Sequence, residues 1–375
     1  MDKILVVGGT FDREHGKPSG LIKLFSESLT ANSCTADVIN GGNIETLKEY
    51  LNRTPEYKFV FWFANVSNTE EKARDVKSIA PHTLLITSKR NDFIDDTHTK
   101  QKYDFEELLQ RALAIKANLC FEFCKLEDRL FNIKVFDPLG CVWYNGTDIN
   151  EAVRSTLDRL KYLASVTRKP SINTIEVPEV IFNDTDKEFL EFVKTSANTF
   201  HTLMCLPPDV KRFVGNASLR FKEPTRCMNG FPAMRKGDFI LMSRRNVDKT
   251  GITEKDFVPC FLDENGRVLY GGENKPSVDS PVQLVLFKKL KNIDYILHGH
   301  CYIENAPMTE LAVPCGAVEE VDMVLNCINH NFNDRKDNFY TINLKGHGCI
   351  IMANATELEK MKSVKFILRP LPEFM

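Results

Sequence analysis

Apolar positions fall into two alternating rhythms over the first 168 residues. Short apolar runs at 3–7, 36–39, 58–64 and 83–87 have the length and branched content of buried strands. Between them, 21–29, 44–51 and 70–79 repeat apolar side chains at helical spacing, as does a longer segment from Phe105. A further strand is expected at 132–136, and 148–164 reads as an amphipathic helix with Asp148 as its N-cap. Apolar strands separated by helices predict a parallel sheet covered on both faces, a Rossmann-like or flavodoxin-like α/β domain over 1–168. Residues 169–183 carry Pro170 and Pro178 without periodicity and read as a linker. From 184 to 375 the pattern predicts a second α/β domain, a sheet flanked by helices. Its helices are expected at 186–203, capped by Thr185, and at 280–290. Its strands are expected at 215–221, 238–243 and 257–262, in the run entering His298, and at 339–344.

Two domains also suit a length of 375 residues. Apolar and charged fractions of 43% and 27% are those of ordinary globular proteins. A net charge of -2 argues against nucleic acid or an anionic membrane as the main partner. No apolar run approaches the ~20 residues of a membrane span. The N-terminus reads as a strand running into Gly8-Gly9 rather than as a signal peptide. The eleven cysteines are scattered, several within apolar runs (Cys120, Cys260, Cys327, Cys349), which is the usage of a reducing compartment. Cytoplasmic localisation is the expectation.

Ligands of a parallel sheet sit at the carboxyl ends of its strands. In the first half those ends read Gly8-Gly9-Thr10, Asn40-Gly41-Gly42, Asn65 and Ser88-Lys89-Arg90. With Lys17 and Ser19 ahead of the first helix, they suit a phosphate or nucleotide at a helix N-terminus, and equally the ordinary polar loops of an α/β fold. No GxGxxG dinucleotide fingerprint is present, and the cofactor of this half stays unknown.

The second half carries more specific chemistry. Tyr295-Ile296-Leu297-His298-Gly299-His300 is an apolar run entering a His-x-His pair. On a strand, residues two apart share a face, so both imidazoles converge. His347 stands between Gly346 and Gly348, whose lack of side chains lets its backbone come close. Three neutral imidazoles with a fourth position open suit a catalytic divalent metal, most often zinc. An isolated His-x-His pair is also compatible with two polar residues at a strand end.

The company of the pair favours the metal. Lys275-Pro276-Ser277-Val278-Asp279 lies upstream, Gly215-Asn216-Ala217-Ser218 further back, and Ala353-Asn354-Ala355-Thr356 downstream. Together these motifs, over roughly 184–362, resemble the class II aldolase/adducin family, which includes zinc-dependent fuculose-phosphate aldolases and ribulose-phosphate 4-epimerases. The resemblance implies a three-layer α/β/α fold, with zinc or another divalent metal on His298, His300 and His347. It implies aldolase- or epimerase-type chemistry on a small sugar or sugar phosphate through a metal-stabilised enediolate, or an adducin-like binding or scaffolding role without catalysis. Asp279 occupies the position of the carboxylate beside the metal, and Asp322, eight residues after Pro314, that of the proton carrier of the epimerase branch. Asn216 and Ser277 match substrate-binding positions. Val278 replaces a second serine there, and Arg244 and Arg245 stand where a Thr-Gly loop is expected. Arginine suits an anionic group through its planar fork. Residues 222–236 read as an insertion over the pocket. The resemblance also implies a homo-oligomer, a fourfold ring with catalytic groups shared between subunits.

Overall fold

The computed structural model describes residues 3–11, 16–53, 57, 59–63, 83–91, 104–114, 117–127, 130–175, 182–205, 215–221, 239–332, 337–368 and 373–374. The expected helix at 70–79, the strand exit at Asn65 and the insertion at 222–236 lie outside the described residues. The chain divides into two compact units, Met1–Ala164 and Ser165–Glu373.

The first unit is a mixed sheet with helices between its parallel strands. Its elements are β1 (Lys3–Phe11), α1 (Gly20–Ala31), β2 (Thr35–Gly42), α2 (Ile44–Arg53), β3 (Phe59–Trp62), β4 (Thr83–Asn91) and α3 (Phe105–Ala114), followed by β5 (Leu119–Glu127), β6 (Leu130–Phe136), β7 (Cys141–Gly146) and α4 (Ile149–Ser165). The order β2-β1-β3-β4-β5 is that of a doubly wound sheet, and these five strands pair in parallel. The α1 side chains Ile22, Phe25 and Leu29 fall on one buried stripe. Phe25 meets Phe61, Phe63 and Phe121 edge-on, at centroid distances of 5.5, 4.9 and 5.6 Å. Asp148 caps α4, its Oδ1 accepting from the Asn150 amide at 2.8 Å.

The parallel pattern stops at β5. Strands β6 and β7 are antiparallel, and the turn between them is built on Asp137. Its Oδ1 accepts from the amides of Leu139 and Cys141 at 3.0 and 3.2 Å, and Oδ2 from the Trp143 indole at 3.2 Å. Gly140 takes φ 89° to close the turn. A side-chain-organised hairpin of this kind leaves no helical period to read, so Cys141–Gly146 is an addition to the strands the pattern predicted.

The second unit holds β8 (Ser171–Ile175), α5 (Asp184–Leu203), β9 (Gly215–Arg220), β10 (Ile240–Ser243), β11 (Phe257–Leu262), β12 (Val268–Gly271) and α6 (Ser280–Lys289). It continues with β13 (Tyr295–Gly299), β14 (Tyr302–Ile303), α7 (Glu319–Asn331), β15 (Phe339–Leu344), β16 (Gly348–Ala353), α8 (Leu358–Lys362) and β17 (Phe366–Ile367). The sheet order is β15-β16-β13-β9-β10-β11-β12-β8, antiparallel except where β8 runs parallel to β12. Ser171–Ile175, within the expected linker, is therefore part of the sheet, because β8 forms its edge. A short run such as Ser171-Ile172-Asn173 carries too little apolar alternation to announce itself.

Helices cover both faces. On one, α6 and α7 bring Val282, Leu286, Phe287, Val324, Leu325 and Ile328 into a core with Met242, Ile296, Ile342 and Ile350. On the other, Phe189 of α5 stacks on Tyr295 at 4.6 Å, and the Tyr295 hydroxyl donates to Asp186 Oδ1 at 2.8 Å. The α5 cap is Asn183 rather than Thr185. Its side chain and that of Asp186 exchange bonds with each other's backbone, a capping box that uses three-residue spacing. Arg220 closes the far end of α6. Its Nη2 donates to the carbonyls of Phe287 and Leu290 at 2.8 and 3.0 Å, and its Nε to that of Ile293 at 2.8 Å. Among the described residues no helix is long and apolar enough to cross a membrane.

Candidate metal centre

The site is assembled where β13, β9 and β16 end together. His298 lies opposite Asn216 on β9 and Ile350 on β16. His300 follows one residue beyond the end of β13. His347 sits in the tight β15–β16 turn, its amide donating to the Leu344 carbonyl at 2.9 Å. Two glycines make the approach possible. Gly215 has φ 128° and Gly348 φ 125°, and a Cβ on Gly348 would stand 2.1 Å from the Gly299 carbonyl oxygen. The strands therefore close tightly enough to bring the three rings together. Centroid distances are 5.0 Å for His298–His300, 4.6 Å for His298–His347 and 5.2 Å for His300–His347. One nitrogen from each lies within 4.8 Å of the others.

Which nitrogens face the centre follows from the hydrogen bonds. His298 Nδ1 lies 2.9 Å from the Cys349 carbonyl, which only accepts, so Nδ1 carries the proton and the lone pair is on Nε2. That Nε2 is buried without a hydrogen-bond partner. His347 Nδ1 likewise lies 2.6 Å from Glu320 Oε1, which orients Nε2 inward. Burial, with help from His347, lowers the His298 pKa to about 4, so the ring is neutral at physiological pH. An orphaned buried nitrogen among three imidazoles, with carbonyl and carboxylate orienting the outer nitrogens, fits a divalent metal.

Asp279 ends the loop before α6, with Oδ2 4.0 Å from His298 Nε2. Asn216 donates to Oδ2 at 2.5 Å and the Cys315 thiol to Oδ1 at 2.9 Å. Burial opposes ionisation of Asp279, but the neighbouring imidazoles and these two donors outweigh it and hold the carboxyl below its usual range. Asn216 is itself fixed by Gln283, and Gln283 by Ser218, a buried chain running from the core of β9 to the carboxylate. Ser277 is buried behind it. The Ser277 amide donates to the Ser243 carbonyl at 3.1 Å, and its Oγ receives the Asp279 amide at 3.5 Å.

Other expected residues are placed differently. Arg244 Nε is paired with Asp256 Oδ1 at 2.7 Å, which ties that guanidinium to its own loop. Arg245 is exposed, its amide bonded to the Lys275 carbonyl at 2.8 Å. Asp322 is exposed on α7, outside the cluster of this chain. The carboxylate that α7 does deliver is Glu320, buried against His347, with burial pushing its pKa up. Its signal was in the helix period: Glu320, Val324 and Cys327 lie on the buried stripe, while Asp322, Asn326 and Asn329 lie on the exposed one. Gln283 and Cys315 are further members that their local sequence did not single out.

In the first unit, the polar loop groups are largely engaged with one another. Thr10 Oγ1 accepts from the Lys17 amide at 2.6 Å, and the Asn40 side chain bonds both the amide and the carbonyl of Ser19, at 2.7 and 3.0 Å. These contacts hold the segment ahead of α1 in place.

Residues 209–314 match the family model for the Class II Aldolase and Adducin N-terminal domain, and the C-terminal unit is class II aldolase-like. No curated protein matches the sequence. Among solved structures, the chain is similar to an L-fuculose 1-phosphate aldolase at 17% identity, over 48% of this chain and 84% of that one, with TM-score 0.31. It is similar to a DNA/pantothenate metabolism flavoprotein from Streptococcus pneumoniae at 13% identity, over 44% and 99%, with TM-score 0.31. A third is YgbL, a putative aldolase/epimerase/decarboxylase from Klebsiella pneumoniae, at 12% identity over 47% and 84%, with TM-score 0.29. These likenesses are loose, and the family match covers residues 209–314 alone.

Proposed function

We propose that the C-terminal unit is a metal-dependent enzyme of aldolase or epimerase type acting on a small sugar or sugar phosphate. The observation that carries this reading is the triad of buried His298 and His347 with half-buried His300, beside an ionised, hydrogen-bonded Asp279. The triad would hold a divalent metal, zinc being the best match to three imidazoles, and the metal supplies Lewis-acid stabilisation of charge developing on substrate oxygens.

The chain's own groups do the rest. The Cys349 carbonyl and Glu320 keep His298 and His347 in the tautomer that presents Nε2. Asn216 and Cys315 hold Asp279 in one orientation and keep it ionised. With both oxygens accepting hydrogen bonds inside the protein, Asp279 is suited to stabilising positive charge at the centre more than to shuttling protons. Exposed Asp322 retains a proton-transfer role only if a second copy of the chain brings it to the site, which is the arrangement a homo-oligomer would provide.

The test is a turnover screen of the zinc-loaded protein with ketose and ketose-phosphate substrates. An aldehyde trap reads cleavage and proton exchange by NMR reads epimerisation. Metal-dependent turnover of one substrate class, abolished in His347→Ala, is the expected result. No exchange or cleavage with any of them, from protein carrying stoichiometric zinc, would refute an enzymatic role of this type.

A further inference from the structure

The turn ahead of α7 brings a sulfur to the centre. Residues 314–317 close on themselves, the Ala317 amide donating to the Pro314 carbonyl at 3.1 Å. Gly316 takes φ 76°, and a Cβ there would stand 2.6 Å from the Val278 carbonyl oxygen, so the turn is pressed against the loop that carries Asp279. The half-buried Cys315 is thereby set on that carboxylate, its Sγ 2.9 Å from Oδ1. Cys315 Sγ, a carboxylate oxygen of Asp279 and a ring nitrogen of His347 all lie within 4.8 Å of one another. His347 belongs to the histidine triad as well, and the other Asp279 oxygen, Oδ2, lies 4.0 Å from His298 Nε2. That nitrogen, in a ring only 3% exposed, has no hydrogen-bond partner. The two sets of donors therefore overlap in space. Zinc binds thiolate at about 2.3 Å and nitrogen or oxygen at about 2.0–2.2 Å, so the donors of one ion lie within roughly 4.5 Å of each other. The separations found here are close to that span.

A hydrogen bond alone does not account for a cysteine at this position. A thiol is a weak donor, and a serine hydroxyl would serve Asp279 better. What sulfur adds is a soft, anionic ligand once its proton is gone. We infer that Cys315 is a metal ligand of this centre, its Sγ joining the histidine nitrogens and Asp279 on one divalent ion. The inference rests on reading the triad as a metal site and goes beyond it in naming a thiolate donor. Binding exchanges the thiol proton for the metal: the S–H bond breaks, an S–metal bond forms, and the proton leaves to solvent. The thiol's bond to Asp279 then gives way to a cation shared by both groups, which offsets the repulsion between two neighbouring anions. A set of imidazole, carboxylate and thiolate favours zinc, cobalt or cadmium over magnesium and manganese, which prefer oxygen ligands.

Cobalt(II) tests this directly, because a thiolate on cobalt gives a near-ultraviolet charge-transfer absorption that nitrogen and oxygen ligands do not. Metal-free wild type, Cys315→Ser and Cys315→Ala are titrated with cobalt(II) under a non-thiol reductant and followed by absorption. In wild type the sulfur band should rise in step with the visible ligand-field bands and saturate at one ion per chain. In Cys315→Ser the sulfur band should be lost while the ligand-field bands remain. Serine can still donate to Asp279, so that loss reports coordination and not the hydrogen bond. Cys315→Ala gives the same comparison if the serine variant does not fold. Cobalt bound by wild type without a sulfur band, or a sulfur band that survives in the Cys315 variants, would overturn the inference and leave the histidine centre standing. No cobalt uptake by wild type would sink the histidine centre, and this ligand with it.

Discussion

At the scale of single residues, Glu320 and His298 make the account testable. Glu320 holds His347 through a 2.6 Å bond to Nδ1. Glu320→Gln should lower zinc affinity about 10–100-fold, the usual effect of losing a carboxylate behind a metal-binding histidine, in a competition titration against a chelator. Unchanged affinity would mean that the ring is oriented by its glycine-flanked turn alone. His298 gives a prediction in pH. Its folded pKa is about 4, below the 6.5 of a free histidine, because burial disfavours the charged ring. Between those values the unfolded chain takes up a proton that the folded chain refuses. Stability from this group is therefore complete above pH 6.5 and declines toward pH 4, by on the order of 3 kcal/mol. Urea unfolding of the metal-free protein should show that decline, reduced in His298→Gln. Parallel pH dependence in the two proteins would contradict the burial argument. The triad was legible in the sequence because strand alternation and two flanking glycines are local signals. Glu320 was harder, since an acidic run at a helix start looks solvated until the helix phase is fixed by Val324 and Ile328. Cys315 gave no signal, because its bond to Asp279 joins residues far apart in sequence.

At the scale of elements, the centre depends on how closely β13 and β16 pair. Gly299 faces Cys349, and Gly348 adopts a φ of 125° that side chains rarely take. Gly348→Ala would force its Cβ against the Gly299 carbonyl. We expect a loss of at least about 2 kcal/mol in chemical unfolding together with weakened zinc binding, because the same displacement moves His347. Loss of stability with zinc affinity intact would separate the turn from the site. Long periodic elements such as α4, and apolar runs such as β1 and β13, were readable from side-chain pattern. The β7 half of the β6–β7 hairpin and edge strand β8 were not. The first is organised by Asp137 through backbone bonds, and the second gains its pairing only when β12 arrives from a hundred residues away in sequence.

At the scale of the molecule, a doubly wound N-terminal unit and a class II aldolase-like C-terminal unit share one chain. If copies of the chain associate as the resemblance implies, sedimentation at micromolar concentration should show a tetramer, and Asp322→Asn should keep its metal while turnover falls ~10²–10⁴-fold. A monomer with full activity in Asp322→Asn would leave that residue a surface carboxylate. The central claim is the histidine centre, and metal content is its most direct measure. Wild type dialysed against zinc should retain one ion per chain, and the double variant His298→Ala, His300→Ala should retain none, because two of three neutral ligands are gone. Stoichiometric zinc in the double variant, or none in wild type, would contradict the account.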